Sequence, residues 1–151
     1  DSSTSRGLGD VYKRQMYFRT RIPRNVTLSY NGLAIAPVQA MINGALFEWV
    51  VENLLKNSLD ALQGQGEIDV RISDDLEWVY IDVKDTGKGI PKSNFKRIFE
   101  PGFTTKTRGW GLGLSLSRRI IEEYHKGRIY VVDSEPGRGT TIRIALKRLY
   151  A

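Results

Sequence analysis

Between residues 46 and 62, LFEWVVENLLKNSLDAL, apolar side chains fall at 47, 50, 51, 54, 55, 59 and 62. That three-four spacing predicts an amphipathic helix, which the following GQG ends. Two stretches downstream switch to a period of two. GEIDVRIS (66–73) sets Ile68, Val70 and Ile72 on one face, and EWVYIDVKD (77–85) does the same with Val79, Ile81 and Val83. Both are predicted strands, joined as a hairpin through Ser73–Asp75. Upstream, NVTLSY (25–30) reads as a strand and NGLAIAPVQ as turns with a short extended piece. KSNFKRIF (92–99) follows Pro91 and predicts a short helix. EPGFTTKTRGWG (100–111) has no periodicity and reads as a loop, and LGLSLSRRIIEEYHK (112–126) as a second long helix closed by Gly127. RIYVVD (128–133) and TTIRIALKR (140–148) are strands about the tight turn EPGRG. Strands interleaved with two long helices predict an α+β fold, a two-layer sandwich whose mixed sheet carries helices on one face.

Composition narrows this without changing it. The 151 residues suit one domain with a single core, and the absence of cysteine removes disulfides and thiolate metal sites. No apolar run approaches the roughly 18 residues of a membrane span. The net charge of +6 is spread over RTRIPR, KRIF, TTKTR, SRR and LKR, without interleaved aromatics. It therefore reads as solvated surface with a local excess near one anionic ligand, not as a nucleic-acid face. Residues 1–15, DSSTSRGLGDVYKRQ, are polar and aperiodic. Their LGDVYKRQ stretch resembles an adaptor-derived translation artefact, so the segment is set aside as a non-native leader. Residues 16–24 are assigned as a linker and 25–151 as the domain.

Three polar residues interrupt the first helix. Asn53, Asn57 and Asp60 lie on one flank of the apolar stripe, within about 60° of one another at 100° per residue, while Glu52 and Lys56 point away. Amide oxygens are hard, neutral donors suited to Mg2+, which keeps several waters and is often shared with phosphates. Alone, the row reads more readily as edge-of-core polar groups satisfied by nearby backbone. DTGKGIP (85–91) ends the second strand, and the same period puts Asp85 on its buried face. A buried carboxylate needs donors, and an adenine amine is one it can accept from. Gly87 and Gly89 let the backbone turn and approach a flat ring. A plain Gly-rich turn would read the same way.

In FTTKTRGWGLGLSL (103–116), Gly109, Gly111 and Gly113 lead into a helix whose first amides attract phosphate oxygens. Lys106 and Arg108 add positive charge to a loop that can order over a ligand. It is neither a dinucleotide fingerprint nor a Walker loop. Last, GRGTTIRI (137–144) brings Gly139 and Thr140 into a strand.

Taken together and in this order, the motifs resemble the GHKL ATPase superfamily, and within it the catalytic ATP-binding domain of bacterial sensor histidine kinases. ENLLKNSLDA matches the N box, DTGKGIP the G1 box, IFEPGFTTK the F box, GWGLGLSLSRRIIEEYHKGRI the G2 box, and GRGTTIRI the last glycine motif. The resemblance runs from about residue 25 to 148. It implies the Bergerat/GHKL fold, with a mostly antiparallel sheet, and the cofactors ATP and Mg2+. Asn57 would ligate the metal, Asp85 accept from the adenine amine, and Ile90 pack on the ring. Lys106 and the lid glycines would meet the β- and γ-phosphates, and Thr140 would help close the adenine site. Asn53, Asp60, Gly87, Gly89, Phe99, Thr105, Gly109, Gly111, Leu112, Gly113 and Leu114 complete the expected nucleotide site. Asn53, Asn57 and Lys106 are its catalytic members.

Hydrolysing members of the superfamily carry a glutamate four residues before the metal asparagine. Here Asn53 stands there and cannot take a proton, which favours phosphoryl transfer over hydrolysis. Two departures stand out. Gly102 replaces a commoner aromatic, and Asp60 a basic residue, so no direct phosphate contact is expected from position 60. The resemblance further implies a cytoplasmic, two-component transferase fragment, inactive in autophosphorylation without its phosphoacceptor dimerisation domain, with a response regulator downstream. A GHKL ATPase or serine kinase, and a nucleotide-binding module without turnover, are the alternatives. His125, at the end of the second helix, is assigned to stabilising terminal carbonyls.

Overall fold

The computed structural model of the protein describes residues 4–7, 22–31, 39–103 and 113–149. In chain order the elements are β1 (Thr4–Gly7), β2 (Val26–Asn31), β3 (Gln39–Ile42), α1 (Gly44–Leu62), β4 (Gly66–Asp74) and β5 (Trp78–Asp85). Single 3-10 turns follow at Lys92–Asn94 and Arg97–Phe99. Then come α2 (Gly113–Arg119), continued by a π turn (Ile120–Tyr124), and finally β6 (Arg128–Glu135) and β7 (Gly139–Lys147).

The main sheet has five strands in the order β2-β4-β5-β7-β6. Only the β2–β4 pair is parallel, so the sheet is mixed and mostly antiparallel, as expected. Helix α1 packs across β4 and β5, and α2 with its π turn packs beside α1. Ile68, Val70 and Ile72 of β4 and Val79, Ile81 and Val83 of β5 face the helices and are buried. They meet Phe47, Val50, Val51, Leu54, Leu55 and Leu62 of α1 in one core. Phe47 is 1% exposed, and its truncation to alanine would cost about 3–5 kcal/mol.

Several boundaries move for identifiable reasons. Helix α1 starts two residues before the apolar pattern does, because Asn43 caps it: Leu46 N–H donates to Asn43 Oδ1 at 3.1 Å. The β4–β5 turn lies at Asp75–Glu77, beyond the expected Ser73–Asp75. Asp75 holds it by accepting from the N–H groups of Glu77 (2.8 Å) and Trp78 (2.7 Å). KSNFKRIF is two 3-10 turns instead of one helix, closed by bonds such as Asn94 N–H to the Pro91 carbonyl at 2.8 Å and Glu100 N–H to that of Arg97 at 2.9 Å. A segment of two turns cannot sustain an isolated α-helix, and the bend lets adjacent Ile98 and Phe99 both be buried.

The second helix is α-helical only to Arg119. The π turn after it lets His125 fold back on the Ile120 carbonyl through both its N–H (3.2 Å) and its Nδ1 (3.0 Å). A carbonyl only accepts, so Nδ1 carries the proton. Nε2 is then free to accept from Asn43 N–H at 3.0 Å. His125 thus does the structural work assigned to it and also ties the π turn to the start of α1. Within the segment set aside as a leader, β1 pairs antiparallel with β3.

Candidate functional site

Strand β5 ends at Asp85, whose partner across the ladder is Thr140 at the start of β7. The strand period turns Asp85 inward, and its residue is only 6% exposed. Its carboxylate accepts from Gly87 N–H at 2.8 Å, from the Ser58 hydroxyl and from the backbone N–H of Thr140. Among the described residues no cation pairs with it. Burial therefore dominates and pushes the carboxyl above its ordinary value, against the lowering effect of those three donors. An ionised carboxylate offers about four acceptor positions, so one further donor can be taken.

The loop after Asp85 is stitched on both sides. Lys88 N–H donates to the Ala61 carbonyl at the end of α1 (3.1 Å), and Gly137 N–H donates to the Lys88 carbonyl from the β6–β7 turn (2.7 Å). The room at its glycines is taken first by protein. A Cβ on Gly87 would lie 2.7 Å from Ala61 backbone, and one on Gly89, whose φ is +77°, would overlap the Glu135 carbonyl. Ile90 is half-buried, and its N–H donates to Ser134 Oγ at 2.7 Å. Ser134 Oγ also donates to the Gly139 carbonyl (3.0 Å), which leaves the Thr140 hydroxyl as donor in the 2.8 Å pair between the two side chains.

On α1, Asn53 and Asn57 are half-buried and Asp60 is exposed. Asn53 Nδ2 donates to Ser117 Oγ of α2 at 3.0 Å, so the two helices meet at a polar contact beside the row. Gly113 and Leu114 open α2, with Leu114 packed on the core. Phe99 is a core residue, 4% exposed. Thr105, Lys106, Gly109, Gly111 and Leu112 lie outside the described residues.

The donor chemistry discriminates between kinds of metal site. Among the described residues there is no cluster of three or more His, Cys, Asp or Glu. What α1 offers is the amide oxygens of Asn53 and Asn57, one turn apart. Such a set suits an ion that brings most of its ligands as water and phosphate, as Mg2+ does, and does not suit zinc. Sequence reasoning missed Ser58, Ser117 and Ser134. Ser58 had a visible signal: it occupies a core position of the α1 stripe, between Leu54 and Leu62, where a hydroxyl has no place unless a buried acceptor faces it. Ser134 had none, because only the turn geometry brings it to Ile90.

Residues 43–149 match the family described as histidine kinase-, DNA gyrase B- and HSP90-like ATPases. The chain belongs to this GHKL family. Among its relatives, sporulation kinase A of Bacillus subtilis is 43% identical over 96 residues, covering 64% of this chain and 16% of that protein. The catalytic domain of histidine kinase ThkA, in a nucleotide-free form, superposes with a TM-score of 0.86 at 26% identity, covering 98% of this chain and 99% of that one. ThkA in complex with response regulator protein TrrA gives a TM-score of 0.82 at 25% identity, over 97% of this chain and 42% of that one. The GHKL domain described here thus corresponds to the catalytic part of sensor histidine kinases, which are transferases, and spans only a small share of the curated relatives' length. Among the described residues no helix is long and apolar enough to cross a membrane.

Proposed function

We propose that this GHKL domain binds Mg·ATP and delivers its γ-phosphate to a histidine on a separate dimerisation domain. The observation that carries the reading is Asp85: a buried carboxylate with three neutral donors, no cation among the described residues, and capacity for one more donor. The exocyclic amine of adenine supplies it. Ile90 and Thr140, joined through Ser134, border that floor, and the ladder holds Thr140 opposite Asp85.

At the other end of the ligand, Asn57 would hold Mg2+ with Asn53 beside it, and Lys106 with Gly109 and Gly111 would meet the phosphates. The bound ion neutralises charge on the phosphate oxygens. The chain's own contribution is positioning: the α1 amides and the glycine-rich loop align the γ-phosphoryl group, and no carboxylate stands at position 53 to activate water. An acceptor histidine nitrogen forms the new bond to the γ-phosphorus as the bond to the bridging oxygen breaks, and ADP leaves with that oxygen. The acceptor's own domain must supply the base. The complex of ThkA with its response regulator suggests a response regulator as the next phosphate acceptor here.

The test follows γ-labelled Mg·ATP with a helical phosphoacceptor dimer from a sensor kinase added. Acid-labile, base-stable label on the acceptor is the expected result. Rapid release of free phosphate would instead make water the acceptor and restore the ATPase alternative. Mg·ATP binding with neither outcome, across several acceptors, would reduce the domain to a binding module.

A further inference from the structure

At the Asp85 end of the sheet, three neighbouring strands each carry one polar side chain in a row. Asp85 of β5 is paired across the ladder with Thr140 of β7, and Thr140 with Ser134 of β6. Residues paired in this way put their side chains on the same face, with Cβ atoms about 4.5–5.5 Å apart. Gly139 keeps β7 close to β5, since a Cβ there would overlap the Asp85 carbonyl. The Thr140 side chain therefore stands between the Asp85 carboxylate and the Ser134 hydroxyl. It has one proton to give, and both neighbours are acceptors. Ser134 takes it. The Ser134 proton goes to the Gly139 carbonyl at 3.0 Å, so its oxygen can only accept in the 2.8 Å contact with Thr140. The second lone pair of that oxygen accepts from Ile90 N–H at 2.7 Å. One donor and two acceptor positions are all that a serine hydroxyl has, and here all three are used.

We infer that Ser134 is a positioning residue for base recognition: by drawing the Thr140 hydroxyl toward β6, it keeps the remaining acceptor position of Asp85 open for an amine of the ligand. The inference rests on the Mg·ATP reading above. Threonine has a few discrete χ1 wells, and the bond to Ser134 selects one with the hydroxyl on the β6 side. Without that bond, the well that turns the hydroxyl to Asp85 would win, because a hydrogen bond to an ionised acceptor is about twice as strong as one to a neutral oxygen. The carboxylate already accepts from Gly87 N–H, the Ser58 hydroxyl and Thr140 N–H. A fourth protein donor would fill its roughly four acceptor positions. A base carrying an amine would then have to displace that donor, whereas a base without one would lose nothing.

The test measures Kd by calorimetry for the Mg2+ complexes of ATP and of inosine triphosphate, which has an oxygen in place of the amine. Wild type, Ser134→Ala, Thr140→Val and the double variant are compared. Ser134 is half-buried on the edge strand β6, so Ser134→Ala should fold; the melting temperature of each apo protein checks this. The preference for ATP is expected to fall about tenfold in Ser134→Ala, through weaker ATP binding with the inosine triphosphate Kd unchanged or tighter. Ser134→Thr keeps the hydroxyl and should keep the preference. Once Thr140 is valine, which has the same shape but no hydroxyl proton, removing Ser134 should change the preference no further. In the apo wild type, NOEs from the Thr140 hydroxyl proton should reach Ser134, and a proton directed at Asp85 would overturn the inference whatever the variants do. A merely structural serine would weaken both nucleotides alike and leave the preference as in wild type, which would overturn the inference alone. Failure of the wild-type chain to bind Mg·ATP would overturn the function reading and the inference with it.

Discussion

The two ends of β5 each carry an aspartate, Asp75 just before the strand and Asp85 at its end, and their surroundings are opposite. Asp75 is exposed and fully engaged in holding its turn. It accepts from Tyr80 Oη at 2.8 Å and from the N–H groups of Glu77 and Trp78, while Arg148 lies nearby. These contacts, the Tyr80 hydrogen bond first, hold its carboxyl below the ordinary 3.8. Asp85 is buried, lacks a cation among the described residues, and is held above that value by desolvation. One aspartate uses its charge to build a turn. The other keeps a costly charge at a buried position, where the proposed nucleotide would supply one further donor.

The largest effect expected from breaking this contrast is on ligand binding. Asp85→Asn should weaken ATP binding about a hundredfold in calorimetric titration, since it removes a charged acceptor and turns an NH2 toward the adenine amine. The same variant should melt no lower than wild type at neutral pH, because it relieves a desolvated charge. Asp75→Asn should do the reverse, lowering the melting temperature while leaving Kd unchanged. Next in size, Asn57→Ala should cost about tenfold in Mg·ATP affinity and little in the presence of chelator. Ser58→Ala should be milder, a few-fold in ATP affinity, as one of three donors to Asp85 is lost.

The pH dependence sharpens the same contrast. The raised carboxyl of Asp85 holds its proton more tightly folded than unfolded, so its ionisation lowers stability as pH rises from 3.8 through the raised value. On the proposed reading the adenine amine donates to the ionised form, so ATP binding should fade on acidification before an ordinary aspartate would titrate. Asp75 has the opposite sign. Its depressed value contributes stability above 3.8 that is lost as pH falls through the lower folded value. Melting curves of Asp75→Asn and Asp85→Asn from pH 3 to pH 7 should therefore diverge from wild type in opposite directions.

Most of the fold was legible because period-two and three-four patterns survive wherever one face is buried. β4, β5 and α1 follow their apolar stripes nearly to the residue, and Asp85 could be placed inward by counting from Val83. What was not legible depends on contacts distant in sequence. His125 draws Ile120–Tyr124 into a π turn by reaching both the Ile120 carbonyl and Asn43, and no local pattern records that. The break of KSNFKRIF into 3-10 turns follows from burying Ile98 and Phe99 side by side. The serines at 58, 117 and 134 are each partners to a residue the motifs did reveal. A motif shows which groups meet a ligand, whereas the groups that orient them lie on whichever neighbouring element the fold brings near.

The most direct test of Asp85 as the reader of adenine compares ATP with inosine triphosphate, which replaces the exocyclic amine by an oxygen and leaves the phosphates unchanged. With Mg2+ present, the wild-type chain should bind ATP about a hundredfold more tightly than inosine triphosphate, and Asp85→Asn should erase that preference. Equal affinity of wild type for the two nucleotides, or an undiminished preference in Asp85→Asn, would contradict the assignment of the buried carboxylate to the base.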